Sequence, residues 1–98
     1  MILVRDVFRL KFGKARDAKA LMQEAKKIDM TFSSEGSRIL FDLTGPSYTM
    51  VLETLHKNLG AWETTMSTGM NQDAWKAWYQ KFQLIVETSH REIFTVME

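Results

Sequence analysis

Residues 2–12 read Ile-Leu-Val-Arg-Asp-Val-Phe-Arg-Leu-Lys-Phe, and the alternation within this stretch decides the fold. Successive side chains of a β-strand point to opposite faces of the sheet. One face of the predicted strand then carries Ile2, Val4, Phe8, Leu10 and Phe12, and the other carries Leu3, Arg5, Val7, Arg9 and Lys11. Because both faces contain large apolar groups, we expect each of them to be covered by another part of the assembly.

The sequence after this strand changes to a helical period. Gly13 ends the strand, and from Lys14 to Ile28 apolar residues recur at a spacing of three or four, which predicts an amphipathic helix of about four turns. Residues 32–36 supply turn-forming residues for a loop. Residues 37–44 and 48–56 then alternate on either side of a Gly-Pro-Ser turn, which predicts a β-hairpin.

A second helical region and a last strand complete the chain. Asn58 is a suitable N-cap for a helix over residues 59–68. Gly69 lies where a helix C-terminus favours left-handed backbone, and Asn71 is a suitable cap for a further helix. We therefore expect the second helical region to be broken at Gly69. Residues 89–97 alternate again and predict the closing strand.

The resulting order, βαββαβ, is that of the ferredoxin-like α+β fold. Right-handed crossovers predict a four-stranded antiparallel sheet with helices on one face and with the first and last strands adjacent in the middle. The apolar residues on the other face of the first strand would then meet water. A second copy of the sheet is the simplest cover for them, so we expect a homodimer.

The composition limits the chain to one small domain and excludes several functions. Its 98 residues allow a single domain over residues 1–98, with a hydrophobic fraction of 45% that is typical of globular proteins. Cysteine is absent, which excludes disulfides, thiolate nucleophiles and cysteine-based metal sites. A net charge of +1 does not favour nucleic-acid binding, and no apolar run is long enough for a membrane span. The absence of cysteine makes the reducing cytoplasm the expected compartment, and the first residues do not read as a signal peptide.

Four segments of the sequence resemble one known group of proteins. They are Lys11-Phe12-Gly13-Lys14 after the first strand, Asp42-Leu43-Thr44-Gly45-Pro46 in the hairpin, Asn58-Leu-Gly-Ala-Trp62-Glu63 at the start of the second helical region, and Glu87-Thr-Ser-His-Arg91-Glu92 at the last strand. Together they resemble the NIPSNAP-like and antibiotic-biosynthesis-monooxygenase-like proteins of the dimeric α/β barrel superfamily. Phe12 departs from the pattern, because these relatives usually have a proline at that turn.

The resemblance implies a homodimer whose sheets pack face to face, with a pocket between sheet and helices in each subunit. Members of the group include cofactor-free oxygenases that act on polycyclic aromatic compounds, haem-degrading enzymes and many proteins without an assigned activity. The fold alone does not choose among these functions.

The second helical region contains a cluster of aromatic residues. It consists of Trp62, Trp75, Trp78, Tyr79 and Phe82. Aromatic residues at helical spacing form either part of the core or the wall of a pocket for a flat apolar ligand, and both interpretations remain open. In the second interpretation Trp62, Trp75 and Trp78 bind the ligand, and the break at Gly69 lets the first helical piece act as a lid.

Six polar residues on the predicted strands are candidates for a site. They are Arg5, Arg38, Asp42, Tyr48, His90 and Arg91. Outside a binding site, Arg5, Arg38 and Asp42 either form an ionic cluster or a dimer contact, or face solvent at strand edges. In a binding site, Arg38 and Arg91 hold an anionic or carbonyl oxygen of the ligand. His90 and Tyr48 are candidates for proton transfer, with Arg5 and Asp42 as further catalytic candidates.

Other kinds of chemistry are disfavoured. His56 and His90 are the only histidines, and the first strand is expected to lie between theirs, so we expect no metal site. Neither histidine lies in a predicted helix, whereas haem-degrading relatives supply the iron ligand from a helix. Haem binding is therefore disfavoured. The chain lacks a G-x-S-x-G motif and a phosphate-binding glycine loop, and residues 48–55 lack the features of an RNA-binding RRM strand. An ACT-like regulatory module, another ligand-binding dimer of this fold, remains open.

Two functions therefore remain. The first is a homodimer that binds or oxidises a small aromatic or hydrophobic molecule without a metal or cofactor. In the oxidising version, the pocket stabilises a substrate carbanion that passes an electron to O₂. The second is a non-catalytic ligand-binding or interaction module that acts through its dimer. Neither function involves a nucleic-acid or membrane partner.

Overall fold

The computed structural model of the protein describes residues 1–28 and 35–98, which form a four-stranded sheet and three helices. In chain order these elements are β1 (Ile2–Leu10), α1 (Ala15–Lys27), β2 (Ser37–Phe41), β3 (Thr49–His56), α2 (Leu59–Met70), α3 (Asp73–Gln83) and β4 (Val86–Thr95). The predicted ferredoxin-like α+β order is confirmed, with the second helical region divided in two. Most of the loop predicted over residues 32–36 lies outside the described residues.

All neighbouring strands are antiparallel, and their order across the sheet is β2-β3-β1-β4. β1 and β4 are adjacent as predicted, but the prediction that both lie in the middle of the sheet is wrong. β4 is an edge strand because β1 pairs on its other side with β3, from Ile2 opposite His56 to Arg9 opposite Thr49. The predicted position of β1 between the two strands that carry the histidines is confirmed.

The helices cover one face of the sheet, called here the helix face. This face carries the even-numbered residues of β1, of which Val4 and Leu10 are buried. Its core cluster consists of Leu10, Ala18, Met22, Ala25, Met50, Trp78, Phe82 and Ile85. Phe8 on β1 meets Phe82 on α3 edge to face, with ring centroids 5.0 Å apart, which is a favoured aromatic geometry. These contacts hold α1 and α3 against the sheet.

The other face of the sheet, called here the open face, carries the odd-numbered residues of β1. No helix within the described residues covers it. Leu40 and Phe94 on this face are 37% and 48% exposed, whereas Val51 is buried by its neighbours. The open face is therefore partly apolar, as the alternation of residues 2–12 predicts.

The turn between β2 and β3 is longer than predicted. β2 ends at Phe41, and the side chain of Asp42 then accepts a hydrogen bond from the backbone N–H of Thr49 at 2.9 Å, as aspartates in turns commonly do. Tyr48 does not belong to β3, because its φ of +61° is in the left-handed region. The turn also uses Gly45 at a φ of +102°, a value that favours glycine.

The ends of β1 and β4 also differ from the prediction. The register of β1 with β4 shifts between Arg9 and Leu10, β1 ends at Leu10, and the chain then turns at Gly13, whose φ is +79°. β4 covers Val86–Thr95 instead of residues 89–97, because Leu10 pairs with Val86 after the register shift.

The boundary between α2 and α3 confirms one predicted cap and corrects another. Asn58 is the N-cap of α2, and its side-chain oxygen accepts a hydrogen bond from the backbone N–H of Ala61 at 2.8 Å. The predicted break at Gly69 is wrong, because Gly69 lies inside α2 and is not among the residues with positive φ. A glycine weakens a helix without having to end it. The chain leaves the helix after Met70, and Asn71 is the C-cap of α2 instead of the cap of α3, which is the extended Gln72.

We expect His56 to make the stability of the fold depend on pH. Its side chain is buried on the helix face, with Nε2 2.9 Å from Thr54 Oγ1, and burial lowers its pKa below the ordinary value of 6.5. The unfolded chain then binds this proton more readily than the folded protein does, so stability decreases as the pH falls below 6.5. Urea unfolding above and below that pH should show a smaller loss for H56Q than for the unsubstituted protein. An equal loss in both proteins would contradict this assignment.

Candidate functional site

A cavity of about 500 Å³ lies between the helix face and the helices α2 and α3. Most of its lining residues are methionine or aromatic, namely Phe8, Met22, Met50, Trp62, Met66, Met70, Trp75, Trp78, Tyr79 and Phe82. Of the twelve residues of α2, all of them described, none is fully buried. The inner surface of α2 is therefore available to a molecule in the cavity. The volume of the cavity is within the usual range of small-molecule sites, roughly 300–1,000 Å³.

The described residues that line the cavity include an ion pair. Asp6 on β1 and Arg91 on β4 are opposite each other, and the Nε of Arg91 donates a hydrogen bond to Asp6 Oδ1 at 2.6 Å. The guanidinium carbon of Arg91 lies 5.0 Å from the centroid of the Trp62 ring, within cation–π distance. The Asp6 side chain is 16% exposed and that of Arg91 45%. The guanidinium of Arg91 is therefore accessible, whereas the carboxylate of Asp6 is largely buried.

The three candidate tryptophans all line the cavity but differ in burial. Trp78 is 5% exposed, stacks on Phe82 with ring centroids 4.9 Å apart and donates its indole N–H to the Leu21 carbonyl at 2.7 Å. Trp75 is only partly buried and stacks on Tyr79 at 4.6 Å. Trp62 is also partly buried and rests on Arg91. Trp78 is thus a core residue that also forms cavity wall, whereas Trp62 and Trp75 expose ring surface.

Arg5 and Arg38 lie on the open face, and neither lines the cavity. Both bind Glu53: Arg38 Nε donates to Oε1 at 2.5 Å, and Arg5 Nε lies 3.4 Å from Oε2. Arg5 Nη1 also donates to Glu92 Oε1 at 3.2 Å. An ionic row of Arg38, Glu53, Arg5 and Glu92 thus crosses all four strands. This arrangement matches the ionic-cluster interpretation of the two arginines.

The candidates for proton transfer do not converge in the cavity. Asp42 and Tyr48 lie in the turn before β3, and neither is among the cavity-lining residues. The Tyr48 ring packs against Phe12 with centroids 5.0 Å apart. His90 borders the cavity, but its position opposite Val7 places the imidazole on the open face, with Nε2 3.9 Å from Glu92 Oε2. Arg91 is therefore the one polar candidate whose side chain joins the tryptophans, within the described residues.

Sequence reasoning missed two charged residues that organise these faces. Asp6 interrupts the apolar face of β1 between Val4 and Phe8, and a lone carboxylate in such a stripe signals a buried partner. Glu53 is buried to 8% exposure on β3, where it joins Arg5 and Arg38. Glu53 lies between Val51 and Leu55 on one face of its strand, and a carboxylate at such a position indicates a charged partner. Which residues pair with it depends on the register of the strands.

The comparisons with known proteins rest on structure. No protein-family model matches the sequence, and no curated protein matches it significantly. A NIPSNAP family protein of unknown function from Agrobacterium tumefaciens is similar with a TM-score of 0.87 and 18% identity, over 96% of this chain and 86% of that one. A NIPSNAP-like domain protein from Burkholderia xenovorans gives a TM-score of 0.87 and 14% identity, over 98% and 84%. A protein from Nitrosomonas europaea, provisionally assigned as an antibiotic biosynthesis monooxygenase, gives 0.73 and 14% over the whole of both chains.

These neighbours define the class to which the structure belongs. It has the α+β ferredoxin-like fold that is shared by NIPSNAP family proteins and antibiotic-biosynthesis-monooxygenase-like proteins. They are the two groups that the sequence resembles, and at these low identities the agreement concerns the fold. Among the helices of residues 1–28 and 35–98, none is long and apolar enough to cross a membrane.

We expect Trp78 and Trp75 to differ in their contribution to stability. W78F removes the indole N–H that donates to the Leu21 carbonyl and leaves space in the core, so it should lower the free energy of unfolding by about 2 kcal/mol. W75F changes a ring that is only partly buried and should cost less than about 1 kcal/mol. Chemical denaturation of both variants measures the difference. An equal decrease in the free energy of unfolding of the two variants would contradict the interpretation that Trp78 is a core residue and Trp75 is not.

Proposed function

We propose that the protein binds a small, flat, largely apolar molecule in the cavity between the helix face and the helices α2 and α3. The observation that carries this proposal is the combination of a cavity of about 500 Å³, methionine and aromatic walls and one oriented ion pair. A cavity of this kind is the expected form of a small-molecule site. The exposed ring surface of Trp62 and Trp75 suits stacking against a planar ligand.

The methionines favour a ligand of adaptable shape. Four of them line the cavity, namely Met22, Met50, Met66 and Met70. Methionine side chains are unbranched and polarisable, so they can fit irregular apolar surfaces and contact aromatic rings. We therefore propose binding to a class of apolar molecules in preference to one rigid compound.

Binding is better supported than metal-free oxidation. Removing a proton from a substrate requires a base within hydrogen-bond reach of it. Among the described residues that line the cavity, Asp6 is held by Arg91, and the His90 ring lies on the opposite face. Tyr48 and Asp42 lie in the hairpin turn. The proposed activity is therefore ligand binding.

We also propose that two copies of the protein associate through their open faces. The face combines partly exposed apolar residues, including Leu40 and Phe94, with the ionic row across the four strands. Removing apolar surface from water contributes about 25 cal/mol per Å². The row pairs its charges within one sheet, so this face can contact a second copy without burying an unpaired charge. The similarity to the structural neighbours concerns the fold. The dimer proposal therefore rests on the properties of the open face.

The binding proposal predicts saturable quenching of tryptophan fluorescence by two-ring aromatic molecules, tested with a panel of naphthalene derivatives. M66W, which fills the cavity from α2, should weaken binding at least tenfold, or about 1.4 kcal/mol. L59W is the matched control, because Leu59 is on the same helix, 53% exposed and outside the cavity lining. Quenching by no member of the panel, or equal affinity in both variants, would rule out this site.

The dimer proposal predicts that V7D sediments as a monomer at micromolar concentration, whereas the unsubstituted protein sediments as a dimer. Val7 lies on the open face, and a carboxylate buried in the interface without a partner would oppose association. L84D is the control, because Leu84 follows α3 and is 71% exposed. Circular dichroism confirms that both variants are folded. A monomeric unsubstituted protein, or a dimeric V7D, would contradict association through this face.

A further inference from the structure

We propose that the cavity prefers ligands that carry a carboxylate, and that the terminal nitrogens of Arg91 are the receptor for this group. The ligand class is then an aromatic or apolar organic acid. This inference rests on the proposed function, because it concerns a ligand in the same cavity. It adds the chemical group that such a ligand must present.

The hydrogen-bond donors of Arg91 are only partly used. Asp6 accepts from Nε, and the terminal Nη1 and Nη2 make no hydrogen bond within the described part of the chain. The planar guanidinium can give two parallel N–H bonds to the two oxygens of one carboxylate. A lysine or a histidine at this position would not offer such a fork. Arg91 therefore has an unused binding edge on a side chain that lines the cavity.

The receptor is also held in one orientation before a ligand arrives. Asp6 fixes the guanidinium at one edge at 2.6 Å, and Trp62 lies 5.0 Å from it on one side. A long arginine side chain normally loses conformational freedom on binding, and contacts made in advance reduce that cost. The Trp62 contact also connects the charged group to the apolar wall formed by α2.

The local charges favour an anion over a cation. Asp6 is the one carboxylate among the described cavity-lining residues, and it is both ion-paired and 16% exposed. Arg91 is the one lysine or arginine among them, and it is 45% exposed. Ser89, two residues earlier on the same face of β4, adds a hydroxyl group to the lining. The remaining walls are mostly apolar, which strengthens an ionic interaction by lowering the local dielectric constant.

A pair of matched ligands tests this preference directly. 2-Naphthoate and 2-naphthamide share a flat apolar body and differ in the charge of the polar group. At neutral pH we expect the dissociation constant of naphthoate to be lower by roughly tenfold or more, the usual gain from hydrogen bonds between charged groups. Isothermal titration calorimetry measures both constants in the same buffer. The preference should decrease as salt concentration rises, because Arg91 is partly exposed to solvent.

Variants of Arg91 test the identity of the receptor. R91Q should abolish the preference for naphthoate, so that the dissociation constants of the two ligands differ by less than about threefold, which is under 1 kcal/mol. Because R91Q leaves the Asp6 carboxylate without its cation, the double variant D6N/R91Q provides a second test without that unpaired charge. R9Q is the matched control, since Arg9 is exposed on the open face and lies outside the cavity. It should retain the full preference.

The possible results separate this inference from the proposed function. Equal affinity of the unsubstituted protein for the two ligands would overturn the preference for acids and leave binding in the cavity intact. A preference that persists in both R91Q and D6N/R91Q would overturn the role of Arg91. Binding of neither ligand would overturn the cavity as a site for flat apolar molecules, and with it this inference.

Discussion

The rest of the structure depends on the register of β1 between β3 and β4. In this register Asp6 is opposite Arg91 on the helix face, and Arg5 lies between Glu53 and Glu92 on the open face. A shift by one residue would exchange the two faces of the strand. It would place Arg5 under the helices and expose the apolar residues that form the core. One pairing pattern therefore fixes the core, the ion pair of the cavity and the ionic row at the same time.

Adjacent residues of β1 thus belong to two ionic networks in different environments. The cavity pair contains a half-exposed arginine, and a pair of this kind contributes little to stability. On the open face, the Glu53 side chain is 10% exposed and lies between Arg5 and Arg38. A carboxylate as buried as this one would be strongly unfavourable without its partners. We therefore interpret the cavity pair as a means of orienting Arg91, and the row as a requirement of the fold.

Features that depend on a local sequence pattern could be predicted from the sequence. Features that depend on contacts between residues far apart in the chain could not. Alternation located β1, and the chemistry of Asn58 located the start of α2. The consequence of Asp6 could not be predicted, because Arg91 is 85 positions away and meets it only in the folded sheet. The different burial of the tryptophans likewise depends on a contact between helices, the bond from Trp78 to the Leu21 carbonyl. Gly69 was misjudged because a glycine is compatible with both a helix interior and a helix end.

The helix α2 connects the fold to the proposed function. Short helices are stabilised mainly by burying an apolar face, and none of the twelve described residues of α2 is fully buried. Its contacts include the Asn58 cap at one end and the Trp62 ring on Arg91. In the proposed complex, a flat ligand covers the inner surface of α2, including Met66, and supplies the burial that the helix lacks. A ligand that binds the folded state in this way also stabilises it, so occupancy of the cavity raises the free energy of unfolding of the protein.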